Sequence, residues 1–235
     1  MSSRLRFLLT ILAFVSFLAL LHRFGRGLWF PLYASIRGQD TVASVVARTE
    51  AKGLGLKPGE REWIHSLTMV GLKEERILEV WGLGDSGRPQ LIRSFPFLGY
   101  SGRFGPKLIE GDGQIPEGVY RVEYLNPNSS YHLSIKIDYP NEFDREKGRS
   151  DERERLGYDI FIHGSSVTVG CIPIGDDTIE DLFTMVAQIG CERVSVILAP
   201  WDFRSRKDEP AIDAISWEAE LYEGIRREMM PFVRS

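Results

Sequence analysis

Asp159-Ile160-Phe161-Ile162-His163-Gly164-Ser165-Ser166-Val167-Thr168-Val169-Gly170-Cys171 is an apolar run that ends in a histidine and reaches a cysteine eight positions later. Ile160, Phe161 and Ile162 are β-branched or aromatic, which predicts a short buried strand that would hold the His163 backbone on a rigid element. The glycines, serines and threonine that follow predict a loop. An imidazole within reach of a thiol can take its proton and leave a thiolate, the reactive form of a group whose free pKa is ~8.5. The same residues also fit a small buried hydrophobe beside a structural histidine, so the rest of the chain has to decide.

Working backwards from this stretch, the pattern is of period two. Leu67–Val70, Arg76–Trp81 and Gln90–Phe95 read as three strands joined by turns at Lys73-Glu74-Glu75 and Gly84-Asp85-Ser86-Gly87, a β-meander. Val119–Val122 and Tyr131–Ile137 continue it, with a turn expected at Asn126-Pro127-Asn128-Ser129. Tyr131, Leu133, Ile135 and Ile137 fall on one face, which puts His132 on the other, at the surface or the rim of a site. The charged run Glu142–Arg155 reads as a solvated excursion leading into the His163 strand.

Working forwards, Ile179, Leu182, Phe183 and Val186 share one helical face after Asp176 and Asp177, either of which can cap a helix stopped by Gly190. Arg193–Leu198 reads as a further strand and Ala211–Met229 as a terminal helix. The fold class expected is therefore mainly β with flanking helices, α+β.

Composition excludes several functions. A net charge of −4 offers no basic surface for nucleic acid. Cys171 and Cys191 are the two cysteines, too few and wrongly spaced for a zinc cluster, and no metal is expected. A bridge between them would silence the thiol; a free Cys171 is the preferred reading. The segment Ser101–Gly118 is glycine-rich and irregular, but it lacks the Gly-Lys-Ser/Thr ending of a phosphate loop and opens no dinucleotide-binding helix, so no cofactor is expected. A long irregular loop in a compact domain is commonly functional or mobile.

At the N-terminus, Arg4 and Arg6 precede fifteen uncharged residues, Phe7 to Leu21. This reads as a signal peptide or, because no small-x-small cleavage site follows, as an uncleaved membrane anchor. Residues 1–28 are assigned to it. Residues 29–63 read as a juxtamembrane linker with an aromatic cluster at Trp29–Tyr33 and a helix within Asp40–Lys52. The expected location is periplasmic, anchored in the inner membrane by residues 5–21.

Two segments together resemble the L,D-transpeptidase catalytic domain, or YkuD domain, and within it the YafK-like branch. One is Ser101-Gly102-Arg103-Phe104-Gly105-Pro106-Lys107 with Gly111-Asp112-Gly113-Gln114-Ile115-Pro116-Glu117-Gly118; the other is Ile162-His163-Gly164-Ser165 through Val169-Gly170-Cys171. Leu125–Ser129, Tyr131–Ser134 and Tyr139-Pro140-Asn141 add to the likeness. It covers about Leu67 to Leu198, so residues 64–200 are expected as the catalytic-type domain and 201–235 as a C-terminal helical extension.

The resemblance implies a β-sandwich or barrel with thiol and imidazole meeting in a cleft, and murein stem peptides as substrate. Cys171 would attack a carbonyl, typically at meso-diaminopimelate, to give a thioester that an amine or water resolves. His163 would be base and then acid, and backbone N–H groups of Gly170 and Cys171 would hold the oxyanion. Gly164, Ser165, Thr168, Lys107, Arg103, Tyr131 and His132 are candidate substrate contacts, and a murein-linked lipoprotein is a candidate partner.

The commoner form of the family has Ser-His-Gly-Cys with an arginine two residues on. Here Thr168-Val169-Gly170-Cys171 and Pro173 stand at those places, leaving His163 as the one base. Transpeptidase and murein peptidase or amidase both remain open, with a catalytically inactive murein-binding or structural envelope module as the alternative.

Overall fold

The computed structural model describes residues 3–24, 38–212 and 215–233. The aromatic cluster expected at Trp29–Tyr33 lies outside them. In chain order the elements are helices α1 (Ser3–Phe24), α2 (Val42–Glu50) and α3 (Pro58–Arg61), then strands β1 (Ser66–Leu72), β2 (Ile77–Leu83), β3 (Gln90–Pro96), β4 (Gly118–Ser129) and β5 (His132–Ile137). Helix α4 (Glu142–Ser150), strands β6 (Phe161–His163) and β7 (Ile172–Pro173), helix α5 (Asp176–Ile189), strand β8 (Val194–Ala199) and helix α6 (Glu218–Met229) complete the chain.

The strands form one pairing order, β3-β2-β1-β8-β4-β5-β6-β7. The expected meander is present, since β1–β2 and β2–β3 are antiparallel, but β1 takes β8 as its parallel neighbour on the other side. Strands β3 and β7 end the order without pairing to each other, so the described strands do not close a barrel. The fold is mixed α+β with one large sheet.

Strand β4 is the pivot. Gly118–Arg121 pair with β8, later residues pair with β5, and the register shifts between Val122 and Tyr124 and again between Asn126 and Ser129. The expected turn at Asn126–Ser129 is therefore irregular strand. Pro127 has no N–H to give a ladder and sits inside that irregularity.

Two clusters of buried side chains lie on the two faces of the sheet. Leu67, Met69, Leu78, Val80, Val196 and Leu198 face helix α5, whose Ile179, Leu182, Phe183 and Val186 are fully buried as their spacing predicts. Each such side chain is worth ~1.5–3 kcal/mol. Val70, Leu72, Trp81 and Ile197 face Leu221, Tyr222, Ile225 and Met229 of α6. That helix begins at Glu218 and not at Ala211, since the described residues between Trp201 and Trp217 are irregular chain.

The charged run also differs from expectation. Its first part is helix α4, capped by Asn141 Oδ1 accepting Asp144 N–H while Asp144 Oδ2 accepts Asn141 N–H, each at 3.0 Å. Neither aspartate caps α5: its N-cap is Gly175, and Asp176 Oδ1 instead accepts the Ser165 N–H at 2.7 Å.

Helix α2 is packed into the same core. Val45 is buried, Thr49 and Thr184 hydroxyls meet at 2.6 Å, and Gly55 and Leu56 N–H donate to Asp181 and Gln188 of α5. Among the described residues no helix is long and apolar enough to cross a membrane, so the expected spanning anchor is not supported. At 1.5 Å per residue the uncharged run within α1 reaches ~22 Å, short of a hydrocarbon core of ~30 Å.

Candidate active site

Strands β6 and β7 pair in parallel, with Ile162 opposite Ile172 and His163 opposite Pro173. Cys171 immediately precedes β7, beside Phe161, so the alternation of side chains places it on the His163 face, as a diagonal neighbour on the adjoining strand. The structure thus sets Cys171 and His163 on one face of adjoining strands. Both cysteines are free thiols, and the bridge is absent.

His163 is nearly fully buried and its ring is fixed on two sides. Nδ1 donates to the Gly164 carbonyl at 2.5 Å, which leaves Nε2 as the unprotonated nitrogen, and the Tyr131 ring lies 4.7 Å away, tilted by 36°. Burial pushes the imidazole pKa down from 6.5 to about 4, against the Gly164 carbonyl and the Asp176 charge. Burial likewise pushes the Cys171 thiol above its ordinary value, while the Phe161 amide and Lys107 favour the thiolate. At neutral pH the resting pair is therefore thiol and neutral imidazole. Cys171 Sγ is directed at the Asp159 carbonyl, 3.7 Å away. Lys136 steadies that strand end by an ion pair to Asp159 at 3.2 Å.

The amides expected to hold an oxyanion are both engaged. Gly170 N–H donates to Ser101 Oγ at 2.7 Å and Cys171 N–H to Thr168 Oγ1 at 2.9 Å, while the Thr168 hydroxyl donates to Cys171 O at 2.6 Å. Thr168 is thus a clamp on the turn that carries Cys171. Sequence reasoning missed Ser101; a serine beside Gly102 at the start of the glycine-rich loop was the only signal.

That loop is built from below. Lys73, expected in a turn, is buried, and its Nζ donates to the carbonyls of Arg103, Gly105 and Ile115 and to Glu117 Oε1. Glu117 also accepts Gly105 N–H and the Tyr222 hydroxyl, both at 2.8 Å, tying α6 to the loop. Asp112 accepts the Leu108, Ile109 and Gln114 N–H groups and the Lys107 ammonium, the last at 2.5 Å. Gln114 accepts the Arg103 N–H and donates to Gly105 O. The loop then lies against the Cys171 turn: a Cβ on Gly170, whose φ is +94°, would stand 3.0 Å from Gln114 O.

The remaining candidates separate. Lys107, with Gly113, Tyr158, Asp159 and Val169, lines a small cleft of about 190 Å³ on the Asp159 side of the thiol. Arg103 is exposed and lines a different cavity with Phe104 and Arg153. His132 Nε2 pairs with Glu180 of α5 at 2.9 Å, and Glu180 also holds Lys52 at 2.6 Å. Gly164 packs where a Cβ would meet Asp176 and Tyr131 O, and Ser165 is tied by its N–H to Asp176. Among the described residues no group of three or more His, Cys, Asp and Glu could hold a metal.

A family model described as the YkuD L,D-transpeptidase catalytic domain matches residues 68–197, more than half of the chain. YafK of Escherichia coli (strain K12), itself only provisionally called an L,D-transpeptidase, is 37% identical over 117 residues. The match covers 48% of this chain and 44% of that protein, so the chain spans less than half of its relative's length. Among solved structures, the helical cell shape determining protein Pgp2 of Campylobacter jejuni overlaps at 23% identity and TM-score 0.49, covering 69% of this chain and 56% of that one. Bd1075 of Bdellovibrio bacteriovorus overlaps at 19% identity and TM-score 0.44, covering 72% and 56%. Overlaps of that degree carry no argument about activity.

Proposed function

Because the chain belongs to the YkuD L,D-transpeptidase catalytic domain family, we propose that it is a cell-envelope cysteine enzyme acting on peptidoglycan stem peptides through a Cys171 thioester. The observation that carries this is the pairing of β6 with β7, which sets Cys171 on the His163 face while Gly164 O fixes the imidazole with Nε2 free to act. As Cys171 Sγ bonds to the substrate carbonyl carbon, its proton passes to His163 Nε2. The same nitrogen returns it to the departing amine, and the acyl group is left on sulfur. An incoming amine then gives transpeptidation, and water gives hydrolysis; a murein-linked lipoprotein is one acceptor of the amine kind.

Burial leaves His163 unprotonated across the neutral range and weakens it as a base for the Cys171 thiol, so the proton moves as the S–C bond forms and not in the resting pair. We place the protein in the periplasm, at the surface of the inner membrane and without a spanning helix among the described residues. Support for attachment comes from the exposed apolar side chains of α1, among them Phe7, Leu8, Leu12, Phe14 and Phe17. Flotation with inner-membrane vesicles tests this: a protein that stays in the soluble fraction is not so held.

A second reading, an inactive murein-binding module, is favoured by the two engaged amides and by Val169 and Pro173 standing where the commoner family form has histidine and arginine. One experiment separates them: incubation with intact sacculi, with and without an added amine, followed by muropeptide analysis. The enzyme reading requires altered muropeptides that disappear in Cys171→Ala, and unchanged sacculi with the wild-type chain would refute it.

A further inference from the structure

The two hydroxyls that engage the nucleophile's amides are not equivalent. Thr168 accepts from Cys171 N–H and gives its own proton to Cys171 O, so both of its capacities are spent inside the turn. Ser101 accepts from Gly170 N–H at 2.7 Å, and among the described residues its own proton meets no protein acceptor. Ser101 is half-buried and reaches Gly170 from a neighbouring loop. That loop is pressed against the nucleophile segment without side chains between them, since a Cβ on Gly99 would collide with Ser166 O and one on Gly170 would crowd Gln114 O.

We propose that Ser101 is a catalytic residue of the acyl-transfer reaction: its O–H, polarised by accepting the Gly170 N–H, donates to the carbonyl oxygen that Cys171 Sγ attacks. The inference rests on the cysteine-acylation reading above and adds to it the donor that the engaged amides do not directly supply. When the S–C bond forms, the carbonyl π pair moves onto oxygen, where the Ser101 proton meets it. On collapse the pair returns to C=O and the leaving group departs with the bonding electrons. A hydroxyl that accepts one hydrogen bond is a stronger donor in the next, so the Gly170 amide acts through Ser101.

The competing role, a plug that must leave before the amide can work, predicts the opposite effect of removing the hydroxyl. The test compares two reactions of Cys171 in the full chain: acylation by p-nitrophenyl acetate, which passes through an oxyanion, and alkylation by iodoacetamide, which does not. Ser101→Ala is expected to slow acylation by about 100-fold while alkylation keeps the wild-type rate, which also certifies the fold, and Ser101→Thr is expected to restore most of the acylation. Ser101→Ala acylated as fast as wild type, or faster, overturns the proposal, as does an equal loss in both reactions. A wild-type chain that is alkylated but never acylated overturns the cysteine-acylation reading itself and this inference with it, an outcome distinct from failure of Ser101 alone.

Discussion

Lys73 Nζ donates to Glu117 Oε1 across 2.8 Å with both side chains wholly buried. Burial pushes the lysine pKa down and the glutamate charge opposes that shift. Removing one partner of such a pair strands the other charge. Lys73→Met should therefore cost ~3–5 kcal/mol in urea unfolding, and Glu117→Gln added to it should return part of that loss, because the neutral amide strands no charge and its oxygen can still accept from Gly105 N–H while its NH2 donates to the Tyr222 oxygen. A double-mutant cycle reads the coupling; costs that simply add would show that the pair does not act as a unit.

The sequence exposes the meander and the His163 and Cys171 pair because both rest on local signals, alternation along Leu67–Phe95 and a strand that runs into His-Gly. It does not expose the parallel pairing of β1 with β8, since a partner more than a hundred residues away leaves no mark on local periodicity. Helix α4 was hidden because only Asp144 and Gly148 are buried on it, and its one strong signal is the Asn141 cap. Lys73 reads as a turn lysine until the loop that wraps its ammonium is folded around it. Ser101, and the clamping role of Thr168, were obscured for the same reason: their partners are backbone groups brought close by loops.

Asp112 is expected to act as the keystone of the glycine-rich loop. Its carboxyl pKa is held below the ordinary 3.8 by Lys107 and three backbone N–H groups, against the opposing effect of burial. A depressed folded pKa means that its contribution is present above 3.8 and is lost as the pH falls through the lower folded value. Asp112→Asn should cost ~1–3 kcal/mol at pH 7 and raise hydrogen exchange at Leu108, Ile109 and Gln114. The gap to wild type should narrow below pH 4; a gap independent of pH would show that the charge contributes nothing.

The resting state of the pair has its own pH signature. The thiol lies above its ordinary 9.0 and the imidazole near 4, both through burial. Alkylation of Cys171 by iodoacetamide should accordingly keep rising with pH beyond 9 in the wild-type chain. In turnover, the acid limb should fall near pH 4 and not near 6.5, because only there does His163 take up the proton that removes it as base. An alkylation rate already flat from pH 5 to pH 9 would instead reveal a preformed thiolate–imidazolium pair.

Tyr131, expected among the substrate contacts, also lies against the His163 imidazole, which gives it a second task to test. It stands at the tip of the β4–β5 hairpin, partly exposed, with its ring 4.7 Å from that of His163. Its neighbour His132 fastens the same hairpin to Glu180. Removing the ring should free the imidazole to rotate and let water reach it. Ring contacts of this kind are worth ~0.5–1.5 kcal/mol, so Tyr131→Ala should lower turnover by roughly two- to tenfold at pH 7. Tyr131→Phe, which keeps the ring, should match wild type. Since burial is what depresses the His163 pKa, Tyr131→Ala should also move its titration, followed by NMR, upward from about 4 toward 6.5. Loss of turnover in Tyr131→Phe would assign the hydroxyl to the substrate instead, and an unmoved His163 titration in Tyr131→Ala would show that the ring does not shield it.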